Sequence, residues 1–493
     1  MDITDFVTLP AGWATAIIVV DYLVKIVALG TVPENRHPAS SQAWLLAILL
    51  VPVVGVPLFL MIGSPYVTGK RNRIQERANS LYAEELAGWP TVPEGLVVDD
   101  ELRSVLHMNR ALTAMPCTTG EFVALHDDYA VSIAAMTEAV AEARDRVHVQ
   151  FYAQSLDDET RAFYDALVDA ARRGVTVRVL VDHLGSLRYR GFGRLRRRLR
   201  REGVEMHLML PVNPFAGRFR RPDLRNHRKL LLVDARRGFV GSQNLIDRCY
   251  GSARNAKLGR EWHDVMAEVR GEVVDSLEAV FAVDWFTESD ERIDHMQQLV
   301  EFDHPPVGGA VNAFQVVPSG PGYRTEPNMR MFTQLVAHAT TRIAIVSPYF
   351  VPNTTLLDTL TSAAYRGVDV EVFVPEKADQ FMVHHAQRSY FRALLEAGVR
   401  IHRYPPPAVL HTKMLVVDDE IGVIGSSNMD MRSFMLNFEI SLLVFGGDAL
   451  AEMTRVVDGY RDVSGELDLE TWQRRPWPGR YVDNVARLTS ALQ

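Results

Sequence analysis

The sequence predicts an α/β fold of two pseudo-symmetric halves, each a β-sheet flanked by helices, preceded by an N-terminal transmembrane helical hairpin. Three observations support this prediction. The N-terminal 75 residues contain two long apolar runs, and the rest of the chain alternates apolar strands with amphipathic helices. A pattern of about 150 residues also occurs twice, which indicates an internal duplication.

Two apolar runs, residues 11–30 and 43–63, are predicted to form the hairpin within a membrane-anchoring unit of residues 1–75. The second run is uncharged and long enough to cross a bilayer. Its Pro52 and Pro57 would kink a helix, which a membrane tolerates better than water does. A buried soluble helix is the alternative interpretation of this run.

The first run contains Asp21 and Lys25, which are four residues apart and could pair with each other or with the second run. An interfacial helix is the alternative here. Basic residues follow the second run at Lys70, Arg71 and Arg73. By the positive-inside rule, the long remainder of the chain is expected to be cytoplasmic.

The chain beyond the hairpin is predicted to consist of two halves, residues 76–299 and 300–493. In each half a strand ends in adjacent aromatic residues, a helix follows and ends at Arg-Gly-Val, and another apolar strand begins. The glycines, Gly174 and Gly367, suit the positive φ of a helix C-terminus. This order indicates α/β units with helices packed on a sheet.

The overall charge argues neither for nor against a nucleic-acid partner, since the net charge is −8 and 23% of residues are charged. However, 14 of the 42 residues from Arg188 to Lys229 are basic. This segment is either a solvated helix face or a surface that attracts an anionic substrate or membrane. The two cysteines, Cys117 and Cys249, offer no metal-ligand spacing and no disulfide framework.

A histidine block occurs once in each half and is the most informative pattern. Both copies read His-x-Lys-x4-Asp, followed by Gly-Ser-x-Asn that begins 14 residues after the histidine. The chain has only six lysines, and two of them lie in these blocks. The probability that two complete copies arise by chance is very small. The members are His227, Lys229, Asp234 and Asn244 in the first half, and His411, Lys413, Asp418 and Asn428 in the second.

The residue types in these blocks suit a tetrahedral oxyanion. On a strand, a His and a Lys two positions apart point to the same side, so each block presents an imidazole and an ammonium together. Two such pairs with two asparagines bind an oxyanion well and a cation poorly. We therefore expect no metal site. Asp234 and Asp418 end their strands and look more structural than catalytic.

The paired blocks resemble the HKD signature of the phospholipase D superfamily, in which both histidines, lysines and aspartates of the blocks form the catalytic motif. The resemblance implies phosphodiester exchange through a covalent phosphohistidine, without a cofactor. It makes His227 the nucleophile and His411 the acid and base, although the pseudo-symmetry allows the roles to be exchanged. It also implies that the lysines and asparagines hold the nonbridging oxygens, namely Lys229, Lys413, Asn244 and Asn428.

Two further acids, Asp264 in "EWHDV" and Glu439 in "LNFEI", occupy matching places in the two halves. In superfamily members such acids orient the imidazoles across the interface. The resemblance thus implies that Asp264 pairs with His411 and Glu439 with His227, each fixing a tautomer. A surface carboxylate is the alternative for either acid. One imidazole must be neutral and the other protonated, so a bell-shaped pH–rate profile is expected.

Within the superfamily, the sequence is similar to the bacterial cardiolipin synthases. The hairpin, "SPYFVPNTTLLDTL" and "VVDDEIGVIGSSNMDMRSFMLNFEISLLV" carry this similarity. It implies that a phosphatidyl group passes from one phosphatidylglycerol to a hydroxyl of another, with release of glycerol. The expected partners are this anionic phospholipid and the bacterial inner membrane, with a multi-pass anchor, cytoplasmic catalytic halves and no nucleic acid.

Three other functions remain open from the sequence. A membrane-bound phospholipase D or headgroup-exchange enzyme would use the same site on another phospholipid. A phosphodiesterase acting on nucleic acid is favoured by the basic segment and opposed by the hairpin. An inactive scaffold that binds anionic lipid is opposed by the intact His, Lys and Asn residues in both halves.

Overall fold

The structure is a computed structural model that describes residues 11–34, 38–63, 70–212, 222–293, 312–323 and 325–490. It divides into two compact units, Met1–Tyr66 and Val67–Gln493. The domain boundaries at residues 75 and 299 stay predictions.

The described part of the N-terminal unit is helical. The first apolar run forms α1 (Ala11–Thr31), in which Lys25 Nζ lies 2.7 Å from Asp21 Oδ2. The second run does not form one helix. It is divided between α2 (Pro38–Leu50), α3 (Pro52–Leu58) and a π-helical turn (Phe59–Gly63).

Pro52 explains the break after α2. A residue that precedes proline is disfavoured in the α region, and Val51 adopts φ −135° and ψ 67°. Pro52 itself suits the first turn of α3, where its missing N–H costs nothing. Within the ranges that the structure describes, no helix combines the length and the apolar character needed to cross a bilayer.

Among the described ranges, the larger unit contains a mixed sheet of sixteen strands and two two-stranded sheets. The first-half strands are β1 (Cys117–His126), β2 (Arg146–Phe151), β3 (Thr176–Asp182), β4 (Glu205–Met209), β5 (Arg225–Asn226), β6 (Lys229–Val233), β7 (Arg237–Gly241), β8 (Trp262–His263) and β9 (Met266–Arg270). The second-half strands are β10 (Asn312–Ser319), β11 (Arg342–Val346), β12 (Phe350–Val351), β13 (Asp369–Pro375), β14 (Arg400–Tyr404), β15 (Val409–Leu410), β16 (Met414–Val417), β17 (Ile421–Gly425), β18 (Met429–Asp430), β19 (Asn437–Phe445) and β20 (Gly465–Glu466). The two-stranded sheets pair β12 with β18 and β15 with β8.

Helices cover the sheet in both halves. The helices of the first half are α4 (Lys70–Leu86), α5 (Asp100–Thr113), α6 (Tyr129–Glu142), α7 (Arg161–Arg172), α8 (His183–Leu187), α9 (Phe192–Arg201), α10 (Ala253–Lys257) and α11 (Val273–Ser289). Those of the second half are α12 (Pro327–His338), α13 (Thr354–Tyr365), α14 (Phe381–Glu396), α15 (Met431–Met435), α16 (Ala449–Val463), α17 (Leu469–Gln473) and α18 (Trp477–Arg487).

The strand order of the first half is repeated in reverse in the second. The sheet runs β4-β3-β2-β6-β7-β9-β1 and then β10-β19-β17-β16-β11-β13-β14, so each of these strands has a counterpart. At the centre β1 pairs antiparallel with β10, where Cys117 lies opposite Gln315. One core cluster contains side chains of both halves, including Trp285, Phe314 and Ile440. The predicted α/β class is confirmed.

The repeated strand–helix–strand units place the histidine blocks at one edge of the sheet. β2 and β3 pair in parallel, as do β11 and β13, with α7 and α13 as their connections. These helices end before Gly174 and Gly367, whose φ values of 91° and 92° agree with the predicted helix ends. β6 runs antiparallel to β2 with Lys229 opposite Phe151, so the first block lies at the carboxyl end of β2.

Candidate active site

His227 is positioned by a contact between the two halves. β5 pairs in parallel with the start of β19, and the His227 backbone N–H donates to Phe438 O at 2.8 Å. Glu439 is the next residue of β19. His227 Nδ1 lies 3.1 Å from both carboxylate oxygens of Glu439 and 2.9 Å from Ser426 O.

His411 is positioned by the reciprocal contact. β15 pairs in parallel with β8, and the His411 backbone N–H donates to His263 O at 2.8 Å. Asp264 follows His263, and its Oδ1 lies 2.7 Å from His411 Nδ1. Each histidine therefore meets an acid from the other half of the chain.

These contacts define the tautomer of both imidazoles. Nδ1 of each ring faces only oxygen acceptors, so Nδ1 carries the hydrogen and donates it. In the neutral ring, Nε2 then holds the lone pair. Both side chains are mostly buried, at 11% exposure for His227 and 7% for His411. The arrangement suits one nucleophile and one proton carrier.

The two lysines lie with their ammonium groups against the histidine backbones. Lys229 Nζ donates to His227 O at 2.5 Å, and Lys413 Nζ donates to His411 O at 2.6 Å. Burial lowers the pKa of Lys413 to about 8 and holds the pKa of Lys229 well below its ordinary value. A bound phosphodiester anion would offset this cost of burying two cations.

The two histidine blocks share one electrostatic environment. Burial, opposed by Glu439, lowers the pKa of His227 to about 4, and both Lys229 and Lys413 contribute to the decrease. The pKa of His411 is also lowered, chiefly by burial, and again both ammonium groups contribute. Each imidazole thus lies within electrostatic reach of the ammonium groups of both halves.

The two acids remain ionised although they are buried. Burial raises the pKa of Glu439 and of Asp264, but the adjacent imidazole and ammonium groups outweigh it, so both pKa values lie below the ordinary ones. Ser426 Oγ also donates to Glu439 Oε2 at 2.5 Å. A hydrogen bond from Ser242 has the same effect on the pKa of Asp264.

The serines and glycines of the Gly-Ser-x-Asn segments were not assigned a role from the sequence. A Cβ on Gly241 would overlap Val265 O, and one on Gly425 would overlap Ile440 O. Val265 and Ile440 directly follow the two acids in the sequence. Only glycine lets the strand approach closely enough for the next residue, the serine, to reach its acid. The repeated Gly-Ser pair was the available signal.

The asparagines differ in their contacts. Asn244 Oδ1 accepts from Ala153 N at 3.1 Å, and its Nδ2 donates to Tyr250 OH at 2.7 Å. The Tyr250 ring centroid is 6.3 Å from that of His411. Asn428 Oδ1 is buried and has no hydrogen-bond partner among the described residues. Asn244 therefore belongs to the wall of the site, and Asn428 retains an unused acceptor.

The aspartates of the two blocks lie at the far ends of β6 and β16 from the histidines. Asp234 has φ 52°, and its carboxylate accepts the N–H groups of Arg144, Asp145 and Arg146 at 2.8–2.9 Å. Asp418 has φ 54°, and its carboxylate accepts the N–H groups of Thr340, Thr341 and Arg342 at the start of β11, each at 2.8 Å. Both hold a turn against the neighbouring strand, so the structure does not bring them to the imidazoles.

Two aromatic residues beside the imidazoles were not predicted as part of the site. The Tyr152 ring centroid lies 5.1 Å from that of His227 and 5.5 Å from Lys229 Nζ. Tyr250 lies next to His411 as described above. Among the described residues, no group of three or more His, Cys, Asp or Glu side chains is placed to hold a metal ion.

Comparisons with known proteins agree with this site. A family model described as "Cardiolipin synthase, PLD-like domain" matches residues 136–285 and 332–460. The cardiolipin synthase of Alkalihalophilus pseudofirmus is 32% identical over 98% of this chain and 95% of its own length. Cardiolipin synthase A of Proteus mirabilis is 31% identical over 95% of this chain and 96% of its own.

A solved structure has the same fold. The phosphatidylserine synthase of Haemophilus influenzae superposes with a TM-score of 0.59 at 14% sequence identity. The match covers 80% of this chain and all of the other.

Proposed function

Because this chain belongs to the cardiolipin synthase family, we propose that its paired imidazoles move a phosphatidyl group from one phosphatidylglycerol to another. Family membership makes the chain a phosphatidyltransferase. The alternative phospholipase D or headgroup-exchange activity is not favoured by these relatives. The crossed pairing of His227 with Glu439 and of His411 with Asp264 is the observation that carries the proposed mechanism.

In the first step, His227 Nε2 attacks the phosphorus of the donor lipid and a P–N bond forms. The P–O bond to the glycerol headgroup breaks, and His411 gives its proton to the leaving glycerol oxygen. In the second step, the hydroxyl of another phosphatidylglycerol loses its proton to His411 and attacks the phosphohistidine. The P–N bond breaks, cardiolipin forms, and both imidazoles return to their initial states.

The remaining residues act on charge and orientation. Lys229 and Lys413, with Asn244 and Asn428, would hold the nonbridging oxygens as negative charge develops. Glu439 and Asp264 would keep Nε2 of each imidazole directed at phosphorus and stabilise the protonated ring when it forms. Asp234 and Asp418 would contribute through the turns that they hold, not by contact with the lipid.

We also propose that residues 1–75 attach the enzyme to the bacterial inner membrane as a hairpin, with residues 76–299 and 300–493 as cytoplasmic halves. The large apolar side chains of α1 support attachment, since Ile18, Tyr22 and Ile26 are each more than half exposed. Anchoring at the membrane would keep the site next to its anionic lipid substrate and raise its effective concentration.

Product analysis tests this function. The full chain with vesicles of phosphatidylglycerol alone should yield cardiolipin and glycerol in equal amounts by mass spectrometry, whereas His227→Asn and His411→Asn should yield neither. Phosphatidic acid as the main product of the unmodified chain would overturn the transferase in favour of a hydrolase.

A further inference from the structure

Exposed apolar side chains form one stripe along α18. Trp477, Tyr481 and Val485 are 69%, 61% and 43% exposed, and Leu488, at the end of the helix, is 82% exposed. Steps of four, four and three residues place all of them on one helix face. Exposing a contiguous apolar helix face to water is unfavourable, so such a face usually marks a site where another molecule or a membrane binds.

Two more apolar side chains are exposed on the first turn of α14, which packs against the buried side of α18. Phe381 and Met382 are 66% and 42% exposed. The Phe381 ring centroid is 4.4 Å from that of His385, whose Nδ1 lies 2.7 Å from Asp483 Oδ1 in α18. We define Phe381, Met382, Trp477, Tyr481, Val485 and Leu488 as the aromatic surface.

This surface adjoins the catalytic site. Gln380 precedes Phe381, and its Nε2 donates to Tyr349 OH at 3.0 Å. Tyr349 OH donates in turn to Asp379 at 2.7 Å. Tyr349 directly precedes β12, in which Phe350 pairs with Met429, the residue that follows Asn428 of the site.

The composition of the surface identifies its partner. Trp and Tyr combine apolar rings with polar atoms and concentrate where a bilayer meets water. Arg480 and Arg487 are exposed on the same helix, and Arg480 forms no ion pair with any described residue. Apolar side chains beside the cationic Arg480 and Arg487 match an interfacial helix on anionic lipid.

We propose that the aromatic surface docks on an anionic bilayer and thereby holds the catalytic site close to the bilayer surface. The inference rests on the proposed function, in which the substrate is a lipid of that bilayer. Arg480 and Arg487 disfavour a second copy of the same surface as the partner, because the arginines of two copies would repel each other.

Depth-dependent quenching tests the docking directly. A polarity-sensitive fluorophore is attached at Tyr481→Cys in full-length protein that also carries Cys249→Ser, because Cys249 is the less buried native thiol. The matched control is Tyr365→Cys. Tyr365 is another exposed aromatic residue, at the end of α13 that adjoins the amino end of β13 and thus the opposite edge of the sheet.

In membranes of phosphatidylglycerol and phosphatidylcholine, lipids with a nitroxide just below the headgroup should quench about half of the emission at position 481 and almost none at 365. Equally weak quenching at both positions would overturn the proposal. Weak quenching together with energy transfer between labels at position 481 of two chains would also overturn it, and would identify a second copy as the partner.

A kinetic comparison separates docking from chemistry. The double variant Trp477→Ser/Tyr481→Ser should lose roughly tenfold in turnover on vesicles and keep its turnover on dispersed short-chain phosphatidylglycerol. Tyr365→Ser should change neither rate. Equal losses on both substrate forms would refute a docking role. Quenching needs no turnover, so a chain that docks but makes no cardiolipin would retain this inference and lose the proposed function.

Discussion

His227 and His411 each lie between a carboxylate and ammonium groups that act on the imidazole pKa in opposite directions. Burial and the two lysines lower both pKa values, while Glu439 and Asp264 raise them. A neutral ring suits the nucleophile, but the acid needs a proton. A bound phosphodiester anion would add negative charge beside both rings and raise both pKa values. The substrate itself would thus help to protonate the acid.

The pH dependence of kcat/KM should therefore be bell-shaped, with one limb for each histidine of the free enzyme. Activity should rise with pH through about 4, the pKa to which burial lowers His227, as the nucleophile loses its proton. It should fall at a pH below 6.5, because the pKa of His411 lies below that ordinary value. The alkaline limb of kcat should lie at higher pH because bound lipid favours the imidazolium.

Neutralising each acid should move only the limb of its own histidine. Glu439 raises the pKa of His227, so Glu439→Gln should shift the acidic limb to lower pH. Asp264 raises the pKa of His411, so Asp264→Asn should shift the alkaline limb to lower pH. Both variants should also lose activity because the tautomer is no longer fixed. If Glu439→Gln instead moved the alkaline limb and Asp264→Asn moved the acidic limb, His411 would be the nucleophile.

A donor lipid with a nitrophenol headgroup should identify the nucleophile, because this leaving group departs without an acid. His411→Asn should release about one nitrophenolate per chain in a burst and then stall, since no base activates the acceptor. His227→Asn should give no burst. Rapid-mixing absorbance measures both variants, and a burst only in His227→Asn would exchange the two roles.

The elements that carry the acids depend on close contact with the Gly-Ser segments. β17 ends at Gly425 directly against β19, and this contact lets Ser426 reach Glu439. The same arrangement recurs where β7 ends at Gly241 against β9. The glycines thus set the separation of strands that hold reacting groups.

Gly425→Ala should therefore impair both folding and catalysis. The added Cβ overlaps Ile440 O, so β19 must shift, at a cost of about 1–3 kcal/mol in unfolding free energy. Because Glu439 precedes Ile440, turnover should fall roughly a hundredfold. The control is Gly459→Ala in α16, where a Cβ meets no atom within 4 Å. This change should stabilise the protein by about 0.5–1 kcal/mol and leave turnover intact. Unaltered turnover in Gly425→Ala would disprove the role of the contact.

At the scale of the whole molecule, local sequence patterns predict the duplication, but they do not predict the side-chain contacts between residues that are distant in the sequence. The repeated Arg-Gly-Val turns and histidine blocks indicate two similar halves, and the mirrored strand order agrees with them. The hydrogen bond between Ser426 and Glu439 and the ring contact between Tyr152 and His227 arise only in the folded chain. No local periodicity encodes such pairs. The division of the second apolar run has a local signal in Pro52. This proline predicts a kink in one helix, whereas in the structure the helix ends there and a new one begins.

The shared core implies that each catalytic site is built from one chain. The ladder between β1 and β10, and a core that joins Phe314 to residues of both halves, would have to open before two chains could exchange halves. Mixing full-length His227→Asn with full-length His411→Asn should therefore restore no activity, because every site keeps one defective imidazole. If chains exchanged halves freely, about a quarter of the wild-type turnover would return, since random pairing of the four half-sites rebuilds intact sites. The measurement is cardiolipin formation after prolonged co-incubation, with each variant mixed with wild-type protein as the control. Recovered turnover would show that the two halves separate in solution, and the common core could not then be what holds the imidazoles together.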